Sequence, residues 1–420
     1  MKRFLIAFLT FGLSALAKAA PPQPEQFSLK WQECVALAAQ NNPDLLSALN
    51  AMEAGRADYK GSYNGILPQV TLSNSYTDTN TSRLGNSTSW TLTGNARLNL
   101  IDFGEWATIQ ISLADYKQTQ ANVRIAANNV LLNLYKAFTG LLYAQESLQV
   151  DALILEAWKN NAQMVSLRYE SGRESKGNNL NTQAQLLQAQ SSLDQSNREL
   201  RVAQQVLNQV IGRDNFAVVI VTGTWERPTA PMPRPEFNSL LAHQPRILAQ
   251  ESLVERARGA IKLAHSTLWP TLSLGYSRGT QGPYEFPKDP FWTFVGTVNY
   301  PLFGAGPTAT YYASVAAERE YNKARQDLRA IRNQALSDLE SSWAAYVGAE
   351  NDVKVQRAFL AAAKQRKDES DVRYRSGLMD FENWIIVVQD YVNFQQSFLR
   401  AQENLILAEA QWRFTTGEQL

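Results

Sequence analysis

"FWTFVGTVNYPLFGAGP", residues 291–307, alternates where most of the chain does not. Trp292, Phe294, Val298, Tyr300 and Leu302 fall on one parity, and Thr293, Thr297 and Asn299 fall on the other. A period of two makes one apolar face and one polar face, which is the pattern of a β-strand between two environments. The alternation stops at Pro301, Gly304, Gly306 and Pro307, and residues 307–372 then read as one long helix.

The same stretch occurs earlier in the chain. Trp90 and Trp292 lie 202 positions apart (292 − 90), and Pro43/Pro245, Pro68/Pro270, Gly94/Gly296 and Gly104/Gly306 keep that spacing. "NNPDLLSALNAMEAGRADYKGSYNGILPQVTL" (41–72) lies over "HQPRILAQESLVERARGAIKLAHSTLWPTLSL" (243–274) without a gap. A second segment repeats at 205: "RYESG" (168–172) over "RYRSG" (373–377), and Gly212 over Gly417. Self-similarity at a fixed period marks a duplicated unit. Residues 20–212 and 238–420 each read as short helix, two strands, long helix, turn and returning helix. Between them, residues 213–237 hold one short apolar run and a proline-rich linker.

The strands are expected at about 68–79, 88–101, 269–280 and 290–303. One parity carries Val70, Leu72, Tyr76, Trp90, Leu92, Leu98, Leu100, Leu272, Leu274 and Tyr276 with the residues already named. The other carries Thr, Ser, Asn and Gln, including Thr91, Thr93, Asn95, Arg97 and Asn99. A membrane barrel fits better than a half-exposed soluble sheet. Such strands are long enough to cross a bilayer at a tilt, which takes about 9–11 residues. Tyr76, Trp90, Trp269, Tyr276, Phe291, Trp292 and Tyr300 sit near strand ends, where interfacial aromatic girdles lie. We therefore expect Tyr76, Trp90, Leu92, Trp269, Leu272, Leu274, Trp292, Phe294 and Tyr300 to face lipid. Thr91, Thr93, Arg97, Thr293 and Asn299 are expected to face a wet lumen. The segments 80–87 and 281–289 are polar hairpin ends.

Four strands cannot close a barrel, and an open edge in lipid leaves backbone groups unsatisfied at several kcal/mol each. Strands must be pooled between copies, and three copies would supply twelve. The long helices run from Gly104 to Arg168 and over 307–372, roughly 90 Å each at 1.5 Å per residue. Their apolar positions step by three and four: Ile109, Leu113, Tyr116, Val123, Ala127, Val130, Leu134, Phe138, Leu141, Leu148, Ala152 and Leu155. This is a heptad-like seam for side-by-side packing. Each long helix ends at its RYxSG turn, where Gly172 and Gly377 can take positive φ. Arg168, Arg173, Arg373 and Arg375 place positive charge at the helix C-termini, which the macrodipole favours. Alternatively these turns form the far tip of a tube and meet a partner. Asp380 and Glu382, repeated around a symmetry axis, would then make an acidic constriction.

The N-terminus supplies the compartment. Lys2 and Arg3 precede the apolar "FLIAFLTFGLSALA", and Ala17-Lys18-Ala19 is a small-x-small site, together a secretory signal peptide over residues 1–19. No cysteine sits at the cleavage point, so no lipid anchor is expected. Cys34 is the single cysteine and reads as a buried helix residue. With two histidines, His243 and His265, and no neighbouring ligand set, a metal site is not expected. The formal charge of +1 suggests no nucleic acid. No serine–histidine–aspartate order, phosphate loop or metal cluster points to an enzyme or a cofactor.

"WQECVALAAQNNPDL", the strand openings "LPQVTL" and "WPTLSL", the strand-to-helix junctions "LNLIDFG" and "YPLFGAG" and both RYxSG turns resemble the TolC family of outer-membrane efflux ducts, over nearly the whole mature chain. The resemblance implies a mainly α homotrimer with a shared twelve-stranded β-barrel continuous with a twelve-helix periplasmic tunnel. It implies that residues 213–237 contribute to a belt around the tunnel. The tip turns (Arg168, Tyr169, Ser171, Gly172, Arg373, Tyr374, Ser376 and Gly377) would dock a periplasmic membrane-fusion adaptor. Through that adaptor the duct would meet an inner-membrane RND, ABC or MFS transporter. Family members with an aspartate ring carry acids six and nine residues after the second turn glycine. Here those positions are Asn383 and Ile386, so Asp380, Glu382 and Asn383 are the candidate gate.

The resulting reading is a passive, gated exit duct in the outer membrane of a Gram-negative bacterium. It would export small molecules or proteins in tripartite efflux or type I secretion. The alternative is a periplasmic structural coiled coil, which would have no use for lipid-facing hairpins. A nonspecific diffusion porin fails on strand count and on the long helices.

Overall fold

A computed structural model of the chain describes residues 26–81, 85–223, 234–241, 244–301, 304 and 306–417. The expected signal peptide, His243, Leu302 and most of the proline-rich linker lie outside the described residues. Two strand hairpins and two very long helical hairpins make the body. The first half runs β1 (Gln26–Leu29), α1 (Trp31–Asn41), α2 (Pro43–Gly61), a 3-10 turn (Ser62–Ile66), β2 (Gln69–Thr81), β3 (Gly85–Ile101), α3 (Phe103–Glu170) and α4 (Lys176–Val210). Then come β4 (Val218–Val221), α5 (Phe237–Leu241), α6 (Pro245–Ser266), β5 (Thr271–Gly282), β6 (Asp289–Asn299), α7 (Pro307–Arg375) and α8 (Phe381–Thr416). No described helix is long and apolar enough to cross a membrane.

The duplication is visible in the hydrogen bonds. Asn42 and Gln244 occupy equivalent positions just before the prolines that open α2 and α6. Asn42 Nδ2 donates to the Val210 carbonyl at 2.8 Å, and Gln244 Nε2 donates to the Thr415 carbonyl at 2.8 Å. Each amide thus satisfies an orphan carbonyl in the last turn of the helix returning in its own half. Asn42 additionally caps α2 by accepting from the N–H groups of Asp44 and Leu45, while Gln244 makes no side-chain cap.

The helices α3 and α7 hold 68 and 69 residues, about 100 Å each. The upper part of the α3 seam keeps the expected spacing, with Ile109, Val130, Leu134 and Leu141 buried. Further along it departs from that spacing. Ala152 is exposed, and the buried series is Asp151, Ile154, Trp158, Ala162 and Val165. Asp151 accepts from Ser196 of α4 and, at 3.3 Å, from Gln396 of α8. A sequence seam drawn through apolar letters steps over an aspartate, whereas the packing includes it because its oxygens are satisfied.

Midway along the long helices, β1 and β4 form a two-stranded parallel sheet that hydrophobic alternation did not reveal. The outward groups of β4 and of Ala217 just before it are satisfied by the long helices. Gln145 bonds both the N–H and the C=O of Val221, Gln204 donates to the Val219 carbonyl, and Asn208 donates to that of Ala217. Beneath it pack Cys34, Leu134, Leu141, Leu207 and Ile211, which with Val219 of β4 are fully buried. Burying each of the leucines, Ile211 and Val219 stabilises the fold by roughly 1.5–3 kcal/mol. The Cys34 thiol is pushed up to about 11 by burial and by neighbouring Glu33, so it stays a packed neutral thiol.

Candidate functional site

The four long strands form one antiparallel sheet in the order β2-β3-β5-β6. The register decides which side chains share a face, because directly opposed residues point the same way. Tyr76 opposes Trp90 with ring centroids 4.9 Å apart, and Tyr276 opposes both Ala96 and Phe294. Leu274 opposes Leu98, and Leu272 opposes Val298. Leu92 and Trp292 lie on the same apolar face. Thr91, Thr93, Arg97, Thr293 and Asn299 share the other face with Ser75, Ser73, Gln69, Ser277 and Thr271. On that face Ser277 donates to Asn95 across β3 and β5 at 2.8 Å.

Three details differ from the expectation. A β-bulge between Asn99 and Ile101 puts Ile101, not Leu100, opposite Leu272. An inserted residue reverses the parity beyond it. Trp269 precedes β5 and Tyr300 comes after β6, so both flank the strands at the helical end of the sheet. Trp269 packs against Phe103 at the start of α3, with centroids 5.4 Å apart. Among the described residues nothing covers the apolar face: Val70, Leu72, Trp292 and Val298 are 70–78% exposed. The edge strands β2 and β6 each pair on one side only.

At the opposite end lie the tip turns. Both end their helices with the same hydrogen bonds. Gly172 N–H donates to Tyr169 and Arg173 N–H to Arg168, while Gly377 N–H donates to Tyr374 and Leu378 N–H to Arg373. The glycines take φ of +71° and +74°, as this C-cap requires. Ser171 and Ser376 back-bond to Arg168 and Val372 carbonyls. Ser175 and Asp380 cap the returning helices α4 and α8.

Side chains then join the two tips. Arg168 donates to the Tyr374 carbonyl at 3.0 Å, and its guanidinium lies 4.6 Å from the Tyr374 ring centre. Tyr374 Oη donates to Glu174 at 2.6 Å and its ring stacks on Trp384 at 4.4 Å. Trp384 Nε1 donates to Asp371 at 2.8 Å, and Lys367 pairs with the other Asp371 oxygen. Tyr374, Phe381 and Trp384 belong to one buried cluster with Ile154, Trp158 and Val165 of α3. Burial opposes Glu174 ionisation, yet hydrogen bonds from Tyr374, Asn178 and the Ser175 N–H, with Arg168 nearby, hold its carboxyl below the usual range. Burial, then Glu174, pushes the Tyr374 phenol far above its ordinary value. Glu174, Asp371 and Trp384 were not singled out from sequence. The apolar spacing Phe381–Trp384–Val388 after the second turn is the signal that could have found the tryptophan.

The candidate gate residues sit just beyond the second turn. Asp380 Oδ1 accepts from the Asn383 N–H at 2.8 Å and Oδ2 from Asn383 Nδ2 at 2.7 Å. These bonds hold its carboxyl below the usual range. Glu382 is exposed in the first turn of α8. Asp380 thus has a capping role whether or not it lines a pore. Among the described residues no group of three or more His, Cys, Asp or Glu side chains could hold a metal ion.

Comparison with known proteins supports the same architecture. The chain matches the family described as "Outer membrane efflux protein" twice, over residues 34–213 and 237–416. It is 23% identical to the alkaline protease secretion protein AprF of Pseudomonas aeruginosa over 94% of this chain and 85% of that one. It is also 23% identical to outer membrane protein TolC of Vibrio cholerae over 81% and 78%. The solved open-state MtrE outer membrane channel of Neisseria gonorrhoeae superposes with a TM-score of 0.82 at 17% identity, over 92% of this chain and 88% of that one. The protein belongs to the outer membrane efflux protein family and is an outer-membrane exit duct, not an enzyme.

Proposed function

We propose that three copies close the sheet into a twelve-stranded barrel, with the Trp90–Trp292 face against lipid and the Thr91–Thr293 face around water. The observation that carries this reading is the single-chain sheet itself. Its two edges are unpaired and its apolar face is bare, in a chain with long helices attached at one end. Open edges are untenable in hydrocarbon, and closure through sister copies removes them. The helical hairpins of the three copies then line a periplasmic tunnel, and selection rests on pore width, lumen charge and gating.

The tip turns are the proposed contact with a periplasmic adaptor, through exposed Leu167, Tyr169, Val372, Leu378 and Ile386. The Arg168–Glu174–Tyr374 network is the proposed latch, because it ties the two hairpins of one chain together where splaying would open the tube. Asp380 and Glu382 remain the proposed acidic ring. Likeness to a protease secretion protein supports protein export, beside small-molecule efflux, as the proposed cargo. Fractionation tests the proposal: the protein is expected in outer-membrane vesicles as a heat-resistant trimer, and recovery as a soluble periplasmic rod overturns it.

A further inference from the structure

Among the described strand residues, one cation stands on the apolar face of the sheet. Arg278 of β5 opposes Gly94 on one side and Trp292 on the other. Its neighbours two positions along the strand, on the same face, are Tyr276 and Thr280. It is exposed and makes no hydrogen bond or ion pair among the described residues. The one acid on this face of the described strands, Asp78, opposes Thr88, six positions along β3 from Gly94. An ionised guanidinium on a lipid-facing surface needs a polar partner, and long cationic side chains find it by reaching for the interface.

The internal repeat locates that interface. At the spacing of 202, Arg278 corresponds to Tyr76 and Trp292 to Trp90. Both pairs are directly cross-strand, Tyr76 with Trp90 and Arg278 with Trp292. In the first half the position holds a tyrosine whose hydroxyl suits the headgroup level. In the second half it holds a permanent cation with a fork of donors. Gly94 on the other side leaves the guanidinium unobstructed. Since the helices attach at the opposite end of each strand, this level lies toward the outer leaflet.

We propose that Arg278, beside Trp292, binds the phosphate of an anionic glycolipid in the outer leaflet, once per chain around the barrel. The inference rests on the outer-membrane reading above. Its test uses the full mature chain in vesicles containing lipid A, or lipid A stripped of its phosphates. Flotation is read first, and lipid retained per chain after mild extraction is read by mass spectrometry. Wild type is expected to float and to retain lipid A but not the phosphate-free form. Arg278→Gln is expected to float equally and lose about tenfold in retained lipid, the scale of one lost hydrogen-bonded charge contact. Arg278→Lys keeps most of the retention. Tyr76→Arg, which copies the site into the first half, is expected to retain about twice as much, as for independent sites. Equal retention by wild type and Arg278→Gln overturns the proposal. It is also overturned if Arg278→Gln and Asp78→Asn both weaken the trimer without changing lipid retention, which would mean an ion pair between copies. Failure of wild type to float removes the outer-membrane reading itself.

Discussion

The two tip turns share four of five letters, RYESG and RYRSG, and an identical set of capping bonds, yet their tyrosines end differently. Tyr169 is 39% exposed and Tyr374 is 1% exposed. The turns themselves do not explain this. The first turns of the returning helices do: α4 opens with Lys176 and Asn179, and α8 has Phe381 and Trp384 at the corresponding positions. The aromatic pair in α8 gives the second turn a core, and Arg168 from the first turn folds over it. A duplicated motif therefore fixes backbone geometry in both halves. Its neighbours decide which copy is packed and which copy is left facing outward.

Truncating the difference should have the largest effect. Trp384→Ala is expected to destabilise by about 3–5 kcal/mol, as for a large buried aromatic. Asn179→Ala at the corresponding position should be neutral or slightly stabilising. The buried Oδ1 of Asn179 has no hydrogen-bond partner among the described residues, and removing such a group relieves its desolvation cost. Thermal unfolding of the helical signal for the two variants checks both, and equal losses would dissolve the distinction between the turns.

Next is the bond between the tips. Tyr374→Phe should cost about 1.5–3 kcal/mol, the range for a hydrogen bond to a charged group, and raise single-channel conductance. Tyr169→Phe should change neither. The same bond sets a pH response. The Glu174 carboxyl titrates lower in the folded protein than in the unfolded chain. Its stabilisation is therefore fully present above an ordinary glutamate value of about 4.3, and it is lost as pH falls through the lower folded value. Wild-type conductance should stay flat from neutral pH down to about that value and rise below it. Glu174→Gln should show no such step.

Gly172→Val and Gly377→Val sharpen the comparison from the other side. Both glycines hold positive φ, so each substitution should cost a similar amount, about 1–3 kcal/mol for a strained residue. Adaptor crosslinking and drug susceptibility should report disturbed docking for Gly377→Val. Unchanged docking and export would count against the tip assignment. The smallest effect is expected from Asp380→Ala combined with Glu382→Ala: higher resting conductance with little loss of heat resistance. Identical single-channel currents would remove these acids from the gate.

Much of this was legible beforehand. Period-two alternation located four strands, proline and glycine spacing exposed the duplication, and the RYxSG glycines predicted positive φ. Strand ends were less accurate: β3 begins at Gly85 rather than 88, and β6 ends at Asn299 rather than 303. The parallel pairing of β1 and β4 was illegible because two four-residue strands carry too few positions for a period. The glutamines that seal it, Gln145 and Gln204, lie on the long helices, and their spacing in the sequence does not mark them as its partners. Asp151 and the Arg168–Glu174–Tyr374 contacts were illegible for a related reason. The bonds of Asp151 and of Tyr374 join residues 45 to 245 positions apart in the chain.

What the sequence determined by itself is whatever repeats locally. Strand faces, helix lengths and turn conformations come from side-chain period and from glycine's access to positive φ, which act over a few residues. Only the tertiary structure decided which copy of each motif is buried. It also placed the bulge at Asn99 and the aspartate in the α3 seam. Those outcomes depend on which helix or strand lies alongside, and burial and hydrogen-bond satisfaction are properties of that meeting rather than of either segment alone.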